Sequence, residues 1–236
     1  MSSISYVQSN HAATDLSVSF SSNVTSGNLL VAIGGAFNSS NPTGCTDTLG
    51  NSYTLLGIFN GSGGIVFIYY TITSSSGANT ITIGGWSTSN AVLCCGEYTV
   101  PSNFLISREG FQDIQGSGGS SNYTIEFPFD KKGSPTVPTE IMAITTWMDF
   151  NAHSWTMSNG TKRLDEDPGD GTAFLYGDYD TSTSPLSTNI STFSTGTDQV
   201  LALTMFLFTP GSGGGGTTNY IISPSITRII VDEVGF

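Results

Sequence analysis

Charged side chains are scarce in this 236-residue chain, and positive ones are the scarcest. Only 10% of the residues are charged, 18 acidic side chains stand against 6 basic ones, and no Lys or Arg precedes Arg108. Nucleic-acid binding needs clustered cations that neutralise phosphates, and anionic membranes also attract cationic segments. The composition therefore excludes nucleic acid and membrane surfaces as expected partners, and the net charge of −12 favours a well-solvated protein.

Cysteine and long apolar runs are also few. The three cysteines, Cys45, Cys94 and Cys95, form no CxxC pair, and their odd number argues against a disulfide framework. Because neighbouring residues of a strand point to opposite faces, Cys94 and Cys95 cannot share one core. The longest apolar run, 200–208, is too short to span a bilayer, and the N-terminus lacks the basic and apolar regions of a signal peptide.

What the chain does contain is typical of β-strands and turns. The stretch "DLSVSF" alternates apolar and polar residues with the period of a half-buried strand, and clusters such as "NSSNPTG" and "NGSGG" mark turns. No segment predicts a helix. Continuous apolar runs predict strands that are buried on both faces at 29–33, 64–72, 91–95, 141–148 and 200–208. The predicted fold class is all-β, a single antiparallel β-sandwich.

An internal repeat divides the chain into two similar halves. Tyr53-Thr54-Leu55 matches Trp155-Thr156-Met157, and Phe67-Ile68-Tyr69 matches Phe174-Leu175-Tyr176. Two halves that each leave an apolar sheet face exposed would close on each other. We therefore predict one domain over 1–209, with pseudo-repeats at about 20–100 and 138–209 and a single shared core. The matched segments are 26–37, 51–57, 63–73, 78–83 and 91–99 with 138–148, 153–160, 171–180, 187–193 and 199–208.

Two features of this fold can be predicted at the level of residues. The stretch "TDTLGNSYT" predicts a hairpin that turns at Gly50-Asn51, with Asp47 bracketing the turn and binding no metal. The alternation also predicts a set of buried side chains: Leu30, Ile33, Phe67, Tyr69, Ile81, Val92, Ile141, Ile144, Phe174, Leu201 and Leu203.

The motifs "GNLLVA", "DTLGNSYT", "IYY" and "EYT" resemble those of a β-sandwich module found in phage virion structural and decoration proteins and in bacterial surface proteins. The resemblance covers about 20–209, and the adjacent cysteines in "CCGEYT" depart from it. It implies a jelly-roll-like scaffold for display, adhesion or assembly, and it supplies no catalytic residues.

The sequence offers no constellation for enzymatic chemistry. His11 and His153 lack a GxSxG or HExxH context and are expected to be exposed loop histidines. Glu97 and Glu140 stand at predicted strand ends, but any acidic sandwich offers such carboxylate pairs. We therefore predict no catalytic residues and no cofactor.

The acidic stretch "DEDPGDG" is the one candidate for a metal. Calcium prefers carboxylate and carbonyl oxygens on a turn, so Asp165, Asp167 and Asp170 are the candidate Ca²⁺ ligands. The alternative is a solvated acidic hairpin tip, which the lack of EF-hand spacing favours.

A sugar platform would need an exposed aromatic ring. Trp86, in "GGWSTSN", has the sequence context of a loop and is the candidate, whereas Trp147, Trp155, Tyr69, Tyr70 and Tyr98 lie in apolar runs that indicate core packing. Trp86 supports an alternative function, a carbohydrate-binding or adhesive module of a bacterial surface protein.

The C-terminus combines a Gly-rich segment with a stretch typical of a strand. Residues 210–219 predict a flexible tether, and 220–236 predict an arm that docks on a neighbouring copy or on a particle by strand addition. The alternative is an arm that folds back on its own sandwich. The predicted partner-binding residues are Ile221, Ile226, Arg228, Ile229, Val231, Val234 and Phe236.

These features together predict a non-enzymatic virion structural protein, a phage head decoration (cement) or related fibre protein. We expect it to be made in the host cytoplasm without a signal peptide, to be located in the virion, and to bind a capsid protein and further copies of itself.

Overall fold

A computed structural model of the chain describes residues 3–37, 40–61, 64–86, 91–114, 119–126, 140–150, 152–157, 160–166, 172–180, 187–194 and 199–209. All regular secondary structure within these ranges is β-strand, and every strand pair is antiparallel. Sheets pack against each other face to face, so the predicted class, an all-β antiparallel sandwich, is confirmed.

Sixteen strands follow one another along these ranges. The first half, up to residue 99, contains β1 (Ser5–Ala13), β2 (Ser17–Ser19), β3 (Leu29–Phe37), β4 (Gly44–Asp47), β5 (Thr54–Gly61), β6 (Gly64–Ile72), β7 (Thr80–Gly84) and β8 (Ala91–Thr99). The second half, from residue 105, contains β9 (Leu105–Ile114), β10 (Gly119–Glu126), β11 (Glu140–Phe150), β12 (Ala152–Met157), β13 (Thr161–Glu166), β14 (Thr172–Asp180), β15 (Ser187–Ser194) and β16 (Gln199–Thr209).

The two halves have the same strand order. The first half forms a five-stranded sheet, β1-β8-β3-β6-β5, and a three-stranded sheet, β2-β7-β4. Adding eight to every number gives β9-β16-β11-β14-β13 and β10-β15-β12, which are the two sheets of the second half. Each half is thus an eight-stranded, two-sheet unit with the strand order of a jelly roll.

The four sheets stack in layers, with the five-stranded sheets inside. We call the five-stranded sheets inner and the three-stranded sheets outer. One apolar cluster joins the inner sheets of both halves, and it includes Val31 and Ile68 from the first half with Ile144 and Leu203 from the second. A second cluster lies between the inner and outer sheets of the first half. The prediction of a single core is therefore corrected, because the inner sheet of the first half is buried on both faces and each face belongs to a different apolar cluster.

The adjacent cysteines show this double burial directly. Cys94 belongs to the cluster between the halves and Cys95 to the cluster inside the first half, and both side chains are fully buried. All three cysteines are free thiols, and Cys45 is half-buried. The expectation that Cys94 and Cys95 occupy different cores is confirmed.

Every predicted core side chain that the structure describes is buried. Ile141 lies on β11, but its side chain is outside the described ones. The other predicted members are buried: Leu30, Ile33, Phe67, Tyr69, Ile81, Val92, Ile144, Phe174, Leu201 and Leu203.

The sequence match between the halves is one residue out of register at one place. Phe67 and Tyr69 face the outer sheet of their own half, whereas Phe174 and Tyr176 face the other half. Since a shift of one residue moves a side chain to the opposite face of a strand, these residues are not equivalent. The match of 51–57 with 153–160 is also corrected, because β5 is equivalent to β13 and β12 is equivalent to β4.

The segment that follows Asp47 changes sheets. Because β4 pairs with β7 and β5 pairs with β6, the predicted hairpin is wrong and the segment links an outer sheet to an inner one. The prediction that Asp47 brackets this segment is confirmed. Its carboxylate accepts a hydrogen bond from the Asn51 backbone amide at 2.9 Å. It also accepts hydrogen bonds from the side chains of Asn51 at 2.7 Å, Tyr53 at 3.1 Å and Asn79 at 2.9 Å. Gly50 alone takes a positive φ there, 75°.

We expect Asp47→Ala to lower the free energy of unfolding by about 1–2 kcal/mol, because several donors lose a charged acceptor. Urea unfolding followed by tryptophan fluorescence measures this change. Asp15→Ala is the matched control, since Asp15 is exposed and brackets only the Ser17 amide at 3.1 Å. Equal losses in the two variants would contradict the role assigned to Asp47.

The tether at 210–219 and the arm at 220–236 lie outside the described residues. The division of the chain into a domain over 1–209, a tether and an arm therefore stays a prediction.

Candidate functional site

The predicted calcium ligands are only partly within the described residues. Asp165 lies on β13, where its carboxylate pairs with Lys162 Nζ at 2.5 Å. Asp167 and Asp170 lie outside the described residues, so the Ca²⁺ hypothesis remains a prediction. No group of three or more His, Cys, Asp or Glu side chains in the described part of the chain is placed to hold a metal ion.

The predicted sugar platform is corrected. Trp86 is only 6% exposed and packs edge-on against the Phe67 ring, with 4.9 Å between ring centroids. A ring must present an open face to stack on a sugar, and this ring is covered by the core of the first half. The other aromatics in apolar runs are buried as expected, among them Trp147, Trp155, Tyr69 and Tyr98, while Tyr70 is half-buried.

The histidines lie on strands rather than in loops. His11 is exposed on β1, and its Nε2 atom lies 3.6 Å from the Glu166 carboxylate of the second half. His153 lies on β12, and its side chain is outside the described ones. The predicted partner-binding residues Ile221, Ile226, Arg228, Ile229, Val231, Val234 and Phe236 also fall outside the described part.

Glu97 is a buried carboxylate that the first half satisfies completely. It accepts hydrogen bonds from Gln8 Nε2 at 2.6 Å, from the Thr25 amide at 2.8 Å and from Asn28 Nδ2 at 2.7 Å. Its side chain is fully buried. The Glu140 side chain is outside the described ones, so a pairing of Glu97 with Glu140 stays untested. In the described structure Glu97 brackets the segment before β3.

A group of polar and aromatic side chains in the described structure lies between the two halves. We call Tyr6, Tyr98, Arg163, Tyr176 and Asp178 the interface cluster. Arg163 on β13 donates to both Asp178 carboxylate oxygens, at 2.7 and 2.9 Å, in the fork geometry that favours strong pairing. Its guanidinium carbon also lies 3.4 Å from the ring centroid of Tyr6, within cation–π range.

Two buried hydroxyls complete the interface cluster. The Tyr98 hydroxyl donates to Asp178 at 3.1 Å, and the Tyr98 and Tyr176 hydroxyls lie 2.5 Å apart. A carboxylate can only accept, so Tyr98 uses its proton on Asp178 and the proton between the two hydroxyls comes from Tyr176. The cluster therefore joins β1 and β8 of the first half to β13 and β14 of the second.

Burial sets the charge states of this cluster. It raises the pKa of Tyr98 well above the usual tyrosine range, and the neighbouring Tyr176 and Asp178 raise it further. Burial likewise raises the pKa of Tyr176. Although burial opposes the charge of Arg163, its hydrogen bonds to Asp178 raise the pKa of the guanidinium overall. Both tyrosines are therefore neutral donors at ordinary pH, facing one ion pair.

The interface cluster connects the two halves, and its buried members form their hydrogen bonds with one another. Tyr98, Tyr176 and Asp178 are each at least 96% buried, and each makes its hydrogen bonds within the chain. Sequence analysis did not find the cluster because Tyr98 lies 78 positions from Tyr176 and 80 positions from Asp178, and no local spacing signals such a contact.

We expect Asp178→Asn to lower the free energy of unfolding by about 2 kcal/mol, because the partly buried Arg163 guanidinium loses a charged hydrogen-bond acceptor. Chemical denaturation at pH 7 measures the loss. Asp165→Asn is the matched control, since its partner Lys162 is more exposed and such pairs contribute less than about 1 kcal/mol. A loss for Asp178→Asn that does not exceed the control would contradict the assigned ion pair.

We also expect a loss of stability at alkaline pH. A group whose pKa is raised by folding contributes stability that is complete below its unfolded pKa, about 10 for tyrosine, and that is lost as the pH rises above it. Urea midpoints should therefore fall between pH 9 and 11, and Tyr98→Phe should fall less steeply than the unaltered chain. A parallel decline in both proteins would rule out the interface tyrosines as the cause.

No helix in the described ranges has the length and hydropathy needed to cross a membrane. Comparison of the chain with protein families, with curated proteins and with solved structures finds no match.

Proposed function

We propose that the protein is a non-enzymatic virion structural protein, a phage head decoration (cement) or related fibre protein that assembles through protein–protein contacts. One observation carries the proposal. The two eight-stranded halves are joined through a buried apolar face, and the buried carboxylates in the described part, Glu97 and Asp178, are both occupied by partners of the same chain. Such a unit suits a rigid building block, whereas an enzyme keeps polar groups free for its substrate.

The placement of exposed apolar side chains supports assembly through sheet edges. Three of the four exposed large apolar residues in the described structure, Val7, Leu55 and Leu105, lie on β1, β5 and β9, each at the edge of an inner sheet, and the fourth, Ile72, is the last residue of β6. Edge strands present unpaired backbone groups, which proteins usually protect with charged side chains. Neither β1 nor β5 contains an acidic or basic residue apart from His11. Strand addition by a partner would cover both the backbone and the apolar side chains.

The sequence supplies a segment that fits such an edge. The stretch 225–234, "SITRIIVDEV", is rich in β-branched residues, which favour strands. A Gly-rich tether of ten residues spans roughly 16–19 Å on average, enough to leave its own sandwich. We propose that residues 221–236 add as a strand to a neighbouring copy or to the capsid protein beneath, with Ile229 and Val231 on one face of that strand and Ile226 and Val234 on the other.

The acidic, cation-poor composition fits this function. A net charge of −12 with only six basic residues disfavours binding to packaged nucleic acid and keeps free copies apart before assembly. The alternative function, sugar binding, is less well supported, because the ring of its candidate residue Trp86 is buried.

Binding to particles tests the proposal. Particles purified from the virus that encodes the chain should contain the protein by mass spectrometry, and particles that lack it should bind the added full chain. Deletion of 217–236 should abolish this binding while the sandwich stays folded. Ile229→Ser should weaken binding by about tenfold or more, whereas the matched change Asp232→Ser should leave it nearly unchanged.

Two results would overturn the proposal. One is the absence of the protein from purified particles. The other is normal particle binding by the chain that lacks 217–236, which would show that the arm is not the assembly segment.

A further inference from the structure

The four edge strands of the inner sheets differ in how regularly they pair with their neighbours. A bulged residue interrupts three of them: Val7 on β1, Leu56 on β5 and Arg163 on β13. The fourth is β9, and all ten of its residues, Leu105–Ile114, pair with β16 without a shift. Because a bulge twists an edge away from further pairing, β9 is the inner edge that is best suited to receive another strand.

The edges of the outer sheets are less suitable. The strands β2 and β4 have three and four residues, and shortness protects an edge from further pairing. The pairing of β12 with β15 shifts between Ala152 and Trp155. The strand β10 pairs regularly, but it has eight residues. In the described part of the chain, β9 is therefore the longest uninterrupted edge strand.

The stretch 225–234 has the same length as β9 and follows the tether. It is rich in β-branched residues, and no described strand lies on the far side of β9. An antiparallel edge strand directs backbone N–H and C=O groups outward at alternate residues, so an added strand of equal length could pair along the whole edge.

The start of the tether limits how the same chain could fill this edge. The strand β16 ends at Thr209, and Phe208 pairs with Leu105, so the tether starts beside the first residue of β9. Antiparallel pairing within one chain would have to begin beside Ile114, roughly 30 Å away at about 3.3 Å per residue. The chain from 210 to 224 spans about 19–23 Å on average even if all of it behaves as a Gly-rich coil. Within one chain, this length favours a parallel arrangement.

Charge disfavours the parallel arrangement. With 225 beside 105 and 234 beside 114, Arg228 would lie beside Arg108, and Glu233 would lie beside Asp113. Like charges at directly opposed positions destabilise a pair of strands. A parallel pair would also differ from every strand pair in the described sheets, all of which are antiparallel.

The antiparallel arrangement brings opposite charges together. With 225 opposite 114 and 234 opposite 105, Arg228 lies opposite Phe111 and diagonal to both Glu109 and Asp113. Diagonal neighbours are within reach of long side chains. Asp232, diagonal to Glu109, is the one like-charge neighbour in this register. A second copy can supply its arm from either end of β9, so the tether does not restrict the direction between copies.

We propose that residues 225–234 of one copy pair antiparallel with the free edge of β9 in a second copy. Each copy then offers one arm and one receiving edge. The inference rests on the proposed role of the arm in assembly, and it names the edge that receives the arm and the direction of pairing. Because the arm and the edge are different surfaces, the contact joins unlike patches of two copies.

Disulfide trapping in the purified full chain tests the edge and the direction together. A mixture of the single variants Leu105→Cys and Val234→Cys, oxidised with oxidised glutathione, should give a two-chain species on a non-reducing gel. Opposed residues of paired strands lie within disulfide distance, and pairing raises the effective concentration of the two thiols. The mixture should therefore form this species roughly tenfold faster than either variant alone.

The bulged edges provide matched controls. The side chains of Val7 and Leu55 are each 42% exposed, close to the 37% of Leu105. Mixed with Val234→Cys, the variants Val7→Cys and Leu55→Cys should cross-link roughly tenfold more slowly than Leu105→Cys does. The native thiols react slowly, because Cys94 and Cys95 are buried and burial raises the pKa of the half-buried Cys45.

Three results would overturn the inference. One is the absence of the two-chain species in the mixture of Leu105→Cys and Val234→Cys. The second is equally fast trapping at Val7 or Leu55. The third is a disulfide within one chain in the double variant Leu105→Cys, Ser225→Cys, which would show parallel pairing of the arm with its own β9.

Particle binding reports separately on the proposed function. Trapping between copies of a protein that is absent from particles would overturn the virion role and support the inference. Particle binding without trapping at Leu105 would overturn the inference, because the arm would then dock on another protein.

Discussion

Burial of one apolar sheet face against another holds the two halves of this protein together. Each half has its own outer sheet, yet its inner sheet would still expose a large apolar face if it stood alone. The apolar cluster between the inner sheets removes both faces from water at once, and it draws on central strands of both halves. Since the hydrophobic effect scales with the area buried, this contact is the largest single contribution that depends on both halves together.

The polar features of the structure follow from this contact. Burial of a sheet on both faces keeps water from its polar groups, which favours hydrogen-bond partners inside the protein. Asp178 accepts hydrogen bonds from Arg163 and Tyr98, and the Tyr176 hydroxyl donates across the interface to the Tyr98 hydroxyl. Gly96 lies where the Tyr176 hydroxyl needs space. These groups fix how the apolar faces align, while the apolar faces supply most of the attraction.

The fold could largely be predicted from local patterns, and the interface could not. Alternation and continuous apolar runs identify strands, so the all-β class and buried residues such as Ile33 and Leu203 follow from sequence. The match of Phe67 with Phe174 failed because residue type does not reveal which face a strand presents. The covered ring of Trp86 and the contact of Tyr98 with Tyr176 depend on strands far apart in the chain. No spacing rule contains that information.

A double-mutant cycle between Tyr98 in the first half and Tyr176 in the second tests the central contact most directly. Unfolding free energies are measured for the unaltered chain, Tyr98→Phe, Tyr176→Phe and the double variant. Residues in contact share an interaction, so the changes should fail to add by about 1 kcal/mol. Additive changes would show that the two hydroxyls do not meet, and would contradict the packing of the two inner sheets described for this protein.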